Sequence, residues 1–270
     1  MLNITKFNLP PFSQRGKRRV IIIVHLMTSL NRGLSNNSII LIYFCNKLTD
    51  NFVLTKITSM ELADIRKEYR LKALDENEIN RNPMQQFEQW LNEAIGAKTN
   101  EPTTMVLATA TSEGIPSARI VLLKAFTQLG FGFFTNYASR KGDELEINQR
   151  VALLFHWPEL ERQVRIEGVA SRTSETVSDD YFNSRPYESR LSAVISDQSK
   201  VIPDREYLEM LWAAQQYQSF AQGIKRPSYW GGYMVEPFRI EFWQGRPNRL
   251  HDRILFTRKG EEWAISRLAP

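Results

Sequence analysis

The chain holds 270 residues, with 35 Lys and Arg against 30 Asp and Glu and a formal charge of +5; this length is enough to bury a substantial core in one large domain or two small ones. The charge is uneven: residues 1–59 carry eight basic groups and one acid, so the remainder has 27 against 29, a net −2 that argues against a general nucleic-acid binder. One cysteine, Cys45, and three scattered histidines, His25, His156 and His251, leave the body without a disulfide, a thiol nucleophile or metal-ligand spacing.

The basic head contains two short apolar runs, Val20-Ile21-Ile22-Ile23-Val24 and Ile39-Ile40-Leu41-Ile42-Tyr43-Phe44, each well short of the roughly 18 to 20 residues that span a bilayer. Lys17-Arg18-Arg19 loosely imitates a signal peptide and the scarcity of acids a transit peptide, yet no small-residue cleavage site follows. At Met60 the composition turns globular. Residues 1–59 therefore read as a poorly ordered basic extension of unknown role, with a targeting segment as the alternative, and residues 60–270 as the working domain. A cytoplasmic location is expected, with organelle targeting by the extension left open.

Met60 to Tyr69 predicts a short polar helix. Asn82 caps a helix with Pro83 at its first position, whose apolar stripe is Phe87, Trp90, Leu91 and Ala94. Thr104 to Thr111 and Ala118 to Ala125, joined by Ser112-Glu113-Gly114, predict a β-hairpin. A strand follows at Phe131 to Thr135, then a helix capped by Ser139 and reaching Asn148, then strands near Val151 to Trp157 and Gln163 to Arg172. Helices are expected at Glu175 to Asn183, Glu188 to Ile195 and Asp204 to Phe220. Strands return at Tyr229 to Val235 and Phe238 to Trp243, and a last hairpin joins Leu250 to Phe256 with Trp263 to Ile265. Long antiparallel strands with interspersed helices imply a mainly β (α+β) fold with a barrel-like sheet.

Four polar clusters exceed what this pattern needs. Arg119 and Lys124 bracket an apolar strand; five apart, they fall on opposite faces of a regular strand, and two chain-end charges reaching for water are the bland alternative. Thr135-Asn136-Tyr137-Ala138-Ser139-Arg140-Lys141-Gly142 places hydroxyls and two cations at a helix start, a seat suited to phosphate. Tyr181 and Arg185 are four apart on one helical face before Pro186 breaks the helix, with Ser189 in the next first turn; an incidental helix break is the alternative there. Finally, in Phe242-Trp243-Gln244-Gly245-Arg246-Pro247-Asn248-Arg249-Leu250-His251-Asp252-Arg253, an extended strand would project Arg249, His251 and Arg253 from one face beside a Trp. That face suits an anionic aromatic ligand, or is a solvated edge strand.

These motifs, with Arg66-Lys67-Glu68-Tyr69, Glu161-Arg162-Gln163, Ser184-Arg185-Pro186 and the closing Arg267-Leu268-Ala269-Pro270 in the same order, resemble the pyridoxine/pyridoxamine 5′-phosphate oxidases from about Ala63 to the end. The resemblance implies a split β-barrel of antiparallel strands with flanking helices that binds FMN. FMN would be held by Arg119, Ile120, Val121, Leu122, Leu123, Lys124, Phe134, Thr135, Arg140, Lys141, Gln163, Gln198, Ser199, Trp243 and Arg253. The substrate would meet Lys124, Tyr181, Arg185 and Ser189 at its phosphate and Arg249, Leu250 and His251 near its ring, under a segment bearing Arg66 and Tyr69. Arg249 and His251 would be the catalytic pair. Leu191 to Lys200 departs from the family pattern, although Gln198-Ser199 is present.

The activity so implied is oxidation of pyridoxamine 5′-phosphate and pyridoxine 5′-phosphate to pyridoxal 5′-phosphate by hydride transfer to flavin. Dioxygen is the acceptor and hydrogen peroxide the by-product, in biosynthesis and salvage of that coenzyme. The implied assembly is a homodimer with FMN at the interface, with no metal, nucleic acid or membrane partner. The alternatives are another split-barrel flavin oxidoreductase and a non-catalytic carrier of pyridoxal phosphate or FMN.

Overall fold

The computed structural model describes residues 68–270, the side chains of residues 221 and 222 excepted, and, by backbone alone, four strands nearer the N-terminus. Those strands, β1 (Leu2–Phe7), β2 (Val20–Leu26), β3 (Ile39–Cys45) and β4 (Thr55–Lys56), form an antiparallel sheet in chain order within a unit of residues 1–67. The two apolar runs of the head lie in β2 and β3. Of the helix expected at Met60 to Tyr69, residues 60–67 lie outside the described residues, and Glu68 and Tyr69 are not helical.

The second unit, residues 68–270, opens with a strap and then helix α1 (Pro83–Gly96). Asn82 caps α1 by accepting the backbone N–H groups of Met84 and Gln85, and Pro83 occupies a first-turn position where no amide is needed. Its buried Phe87 and Trp90 pack on the sheet, Phe87 at 4.8 Å from Phe131 and 4.9 Å from Phe155, and Trp90 at 5.2 Å from Phe242, between ring centroids.

The sheet explains how a barrel closes. Strand β5 (Thr104–Ala110) pairs with β6 (Pro116–Leu122) on one side and β9 (Arg150–Trp157) on the other. Next come β10 (Arg162–Arg172) and the 15-residue β11 (Trp230–Gln244), which replaces the two strands expected there. The first half of β11 pairs with β8 (Gly130–Asn136) and its second half with β12 (Asp252–Lys259), so one strand serves two neighbours on the same edge. β8 pairs with β7 (Ala125–Thr127), a strand missed in the sequence, and β13 (Glu262–Arg267) ends the other edge. The circuit closes because β7 follows β6 after only two residues. Leu123 donates its N–H back to Thr103 of the β5 side, at 2.8 Å, while Lys124 donates to Gly132 of β8, also at 2.8 Å. Lys124 therefore stands at the seam of the barrel.

Pro237 sits inside β11 because a bulge falls there: Glu167 pairs with Arg239 and Gly168 with Pro237, leaving Phe238 as the extra residue. Gly168 suits that pinch, since a Cβ would lie 2.6 Å from the Glu236 carbonyl oxygen. Four further helices, α2 (Arg140–Ile147), α3 (Glu175–Ser184), α4 (Tyr187–Ile195) and α5 (Arg205–Gln222), follow the expected segments, with Ser139, Ser174 and Asp204 capping α2, α3 and α5. Among the described residues no helix is long and apolar enough to cross a membrane, and no group of three or more His, Cys, Asp or Glu could hold a metal.

Candidate functional site

A cavity of about 390 Å³ opens where the barrel seam meets α2, α3 and α4. Ten of the residues singled out in the sequence line it: Ile120, Val121, Leu122, Lys124, Phe134, Thr135, Lys141, Tyr181, Arg185 and Gln198. Of Arg119 and Lys124, five apart, only Lys124 lines the cavity, as opposite strand faces imply. Asn136, Ser192, Ala193, Ser196 and Trp230 also line the cavity and were not singled out as ligand contacts. Ser192, Ala193 and Ser196 follow Ser189 at helical spacing, a signal that could have found them.

Lys141, in the first turn of α2, is buried and donates to Thr135 Oγ1 at 2.9 Å, Ser139 Oγ at 3.2 Å and Gln198 Oε1 at 2.6 Å. All three acceptors are neutral. Burial, reinforced by the nearby Arg119 guanidinium, lowers the ammonium pKa from 10.5 to about 8. The segment after α4 is tied in by Asn136 Nδ2, which donates to the Ser196 carbonyl at 3.1 Å.

Arg185 forms the opposite wall. It is not helical: α3 ends at Ser184, and Arg185 is an extended cap (φ −75°, ψ 148°), as the residue before a proline prefers. Arg185 therefore does not share with Tyr181 the helical face that the spacing of four predicts, although both side chains reach the cavity. Its guanidinium lies 4.7 Å from the Trp230 ring, and its buried Nη1 has no hydrogen-bond partner among the described residues. Burial draws its pKa down and pushes that of the Tyr181 phenol up. Tyr181 stacks on Phe134 at 3.9 Å, which in turn stacks on Trp230 at 5.7 Å. Arg226, not singled out in the sequence, holds this stack from behind. It donates to Asp179 of α3 at 2.6 Å and to the Trp230 carbonyl at 2.8 Å, and also pairs with Glu175.

Arg119 and Arg140 do not line the cavity. The buried Glu144 carboxylate holds both, Arg119 at 3.3 Å and Arg140 at 2.8 Å, and also accepts from Thr109. These cations and the Thr109 hydrogen bond keep the Glu144 pKa below its ordinary value in spite of burial. Leu123 turns into the core, Ser189 is half-buried and Ser199 is exposed with φ +72°; none of the three lines the cavity.

The remaining candidates form a second cluster. Gln163, Trp243 and Arg253 are directly paired across β10, β11 and β12, one row outward of the core row Val164, Phe242 and Ile254. The expected strand through Arg249 is corrected. Pro247–Arg249 is a 3₁₀ turn with Asn248 and Arg249 at φ +57° and +60°, and β12 begins only at Asp252. Pro247 fixes the turn, and the alternation that placed Arg249, His251 and Arg253 on one face does not exist. Arg249 and Leu250 are exposed. His251 accepts the Arg246 N–H on Nδ1 at 3.1 Å and lies 4.7 Å from Trp243 and 5.8 Å from Tyr69. Burial and the Arg249 charge lower the His251 pKa. Tyr69 meets Trp243 edge-on at 5.7 Å. Arg253 binds Glu241 through two nitrogens, at 2.8 and 3.1 Å. Arg66 lies outside the described residues.

Two family descriptions match the chain: pyridoxamine 5′-phosphate oxidase over residues 91–218, and the pyridoxine 5′-phosphate oxidase C-terminal dimerisation region over residues 230–270. A pyridoxine/pyridoxamine 5′-phosphate oxidase of a Cyanothece species is 51% identical over 212 residues, 78% of this chain and 100% of that protein. That of Trichormus variabilis is 53% identical over 210 residues, 77% and 98%. Among solved structures, PhzG from Burkholderia lata, in complex with tetrahydrophenazine-1-carboxylic acid, is 31% identical with a TM-score of 0.70, covering 74% of this chain and 99% of its own. A pyridoxamine 5′-phosphate oxidase-related, FMN-binding protein from Nostoc punctiforme is 16% identical with a TM-score of 0.57, covering 68% and 97%, and shares the split-barrel fold.

Proposed function

Because this chain belongs to the pyridoxamine 5′-phosphate oxidase family, we propose that it oxidises pyridoxamine 5′-phosphate and pyridoxine 5′-phosphate to pyridoxal 5′-phosphate, with FMN as cofactor and dioxygen as acceptor. With the amine the balance is substrate, dioxygen and water giving aldehyde, ammonia and hydrogen peroxide. The observation that carries the reading is Arg185, whose buried Nη1 has no partner among the described residues, in a cavity shared with Tyr181, Lys124 and Lys141. A buried cation without an anion is unfavourable, and a bound phosphate supplies what it lacks.

The residues fit two phosphorylated ligands. Lys141, hydrogen-bonded to three neutral oxygens among the described residues, with Thr135 and Gln198 around it, would hold the flavin phosphate beside the α2 N-terminus. Glu144 keeps Arg119 and Arg140 oriented next to that seat. The bound flavin supplies the two-electron acceptor and its reoxidation by dioxygen; the protein binds and orients. Arg185, Tyr181 and Lys124 would grip the substrate phosphate, and Ser189 belongs to the same reading. Gln163, Trp243 and Arg253, paired in one row, would offer the flavin an aromatic and hydrogen-bonding surface. Arg249 orients the substrate ring. His251, whose Nδ1 accepts a backbone N–H, carries its ring proton on Nε2 when neutral and handles the proton there.

The chain carries the family's dimerisation region, and we place the flavin at the interface of a homodimer, with the cavity cluster from one protomer and the β11–β12 cluster from its partner. Residues 60–270 form the oxidase domain, residues 1–59 lie outside it, and the protein is placed in the cytoplasm. The higher identity to the pyridoxamine phosphate oxidases than to PhzG favours this reading over another flavin oxidoreductase of the fold.

The test is the spectrum of the purified protein. A flavin band that bleaches on adding pyridoxamine 5′-phosphate without oxygen, then returns in air with peroxide release, is expected. Retention of the ligand without bleaching would make the protein a carrier and overturn the oxidase.

A further inference from the structure

We infer that Glu161 is a positioning residue, whose carboxylate anchors the strap that sets Tyr69 against Trp243 and His251. It lies in the turn between β9 and β10, 4% exposed, at φ +56°. A buried residue other than glycine in the left-handed region is disfavoured, and such outliers gather where geometry serves a purpose. Here the backbone and the side chain face two different segments. Glu161 Oε2 accepts the N–H groups of Arg70 at 2.8 Å and Leu71 at 3.1 Å. Its carbonyl accepts from the Gly245 N–H at 2.7 Å and Gln244 Nε2 at 3.2 Å.

Gly245 is the floor on which Tyr69 rests, since a Cβ there would lie 2.7 Å from Tyr69 Cβ and Cγ. One residue thus fixes both the floor and the chain that delivers the ring, and the walls are Trp243 and His251. Other ties hold the strap farther along: the Leu74 N–H to Asp252 at 3.0 Å, Arg267 to the Leu74 carbonyl at 3.1 Å and Arg246 to the Lys72 carbonyl at 3.4 Å. Only Glu161 binds the residues immediately after Tyr69 among these ties. Its carboxylate takes two charge-assisted bonds from adjacent amides, while Arg267 holds Glu76 farther along the strap.

The inference about the strap stands on this geometry; its consequence for the substrate rests on the proposed oxidase reading. The experiment uses the full chain with FMN added. Glu161→Ala should speed tryptic cleavage after Arg70 and Lys72 by about tenfold or more, from the loss of two charge-assisted bonds. It should also raise KM for pyridoxamine 5′-phosphate about tenfold while kcat stays within about twofold, on the same grounds. Glu161→Gln, which keeps an acceptor oxygen, should recover most of both losses. Tyr69→Ala should add little to KM in the Glu161→Ala background, because the ring is already displaced. Should the alanine variant not fold, Glu161→Gly, at ease with φ +56°, removes the same carboxylate.

Cleavage at the wild-type rate would overturn the anchor. Faster cleavage with unchanged KM, or fully additive losses in the double variant, would overturn the positioning role. A wild-type protein that fails to turn over pyridoxamine 5′-phosphate would sink the oxidase reading alone, while the cleavage result still decides the anchor.

Discussion

At the cavity, Arg185 keeps a buried Nη1 without a partner among the described residues, and Lys141 shares its ammonium with three neutral oxygens. On the β11–β12 face three arginines are matched, Arg253 by Glu241, Arg246 by Asp252, and Arg267 by Asp252 and Glu76, while Arg249 stands exposed on the turn. The same residue types therefore prepare for different ligands. Unmatched buried charge is unfavourable until an anion arrives, which supports the anion seat proposed for the cavity. Matched charge only shapes the surface, and the second face offers the rings of Tyr69, Trp243 and His251 instead. In the proposed reading one region grips phosphates and the other receives a flat heterocycle.

The largest expected effect breaks the contrast at Lys141. Its pKa is lowered from 10.5 to about 8 by burial, so below pH 8 the folded protein holds a charge that it disfavours. The unfolded chain keeps its proton to about 10.5, hence apo stability should rise with pH between about 8 and 10.5, by up to about 3 kcal/mol. Cofactor affinity should move the other way, falling as the ammonium loses its proton above about 8. Urea unfolding of the apo protein and FMN fluorescence titration, each compared with Lys141→Met, check both signs. Both slopes should appear in the difference between wild type and the methionine variant, because the tyrosines whose pKa burial raises titrate in both proteins and cancel.

Arg185→Ala comes next. A charge-assisted bond to phosphate is worth about 1.5–3 kcal/mol, so KM for pyridoxamine 5′-phosphate should rise by roughly 10- to 150-fold. FMN affinity should stay within about twofold if the two phosphates occupy separate seats. An unchanged KM would place the substrate phosphate elsewhere. On the second face, Gly245→Ala sharpens the comparison with no charge involved. The added Cβ would meet Tyr69 at 2.7 Å, an overpacking worth about 1–3 kcal/mol, so tryptic cleavage after Arg70 should accelerate while phosphate binding in the cavity is spared.

Much of this division could be read before any coordinates. The caps at Asn82 and Ser139 and the strands near Val151 to Trp157 and Gln163 to Arg172 were legible because local rules and tertiary packing agree there. The cavity cluster was legible in part because Tyr181, Arg185 and Lys141 stand at helix ends and Thr135 at the end of β8, where polar groups concentrate. Three features were not legible. The seam at Leu123 and Lys124 depends on which strand each amide finds, a long-range choice that spacing does not encode. The bulge that lets Pro237 sit inside one long strand made β11 look like two. The 3₁₀ turn at Pro247–Arg249 defeated the alternation argument outright, since a period of two holds only while the chain stays extended. Arg226 and Glu161 were passed over as functional residues because their partners lie 47 and 91 residues away.

The smallest expected effect probes the neutral side of the comparison, at His251. Burial and the Arg249 charge lower its pKa from 6.5, while Asp252 acts in the opposite sense, so the folded state prefers the neutral ring whose Nδ1 accepts the Arg246 N–H. As pH falls below about 6.5 the unfolded chain takes up the proton first, so this contribution is lost with acid, not gained. A neutral hydrogen bond is worth about 0.5–1.5 kcal/mol, which bounds the effect. The difference in urea stability between wild type and His251→Phe should therefore be largest near pH 7 and shrink toward pH 5. Both proteins carry the same carboxylates, so their titration cancels in the difference. A difference that grew on acidification would mean that His251 gains a charge partner when folded, and the β11–β12 face would then be a second anion seat rather than an aromatic one.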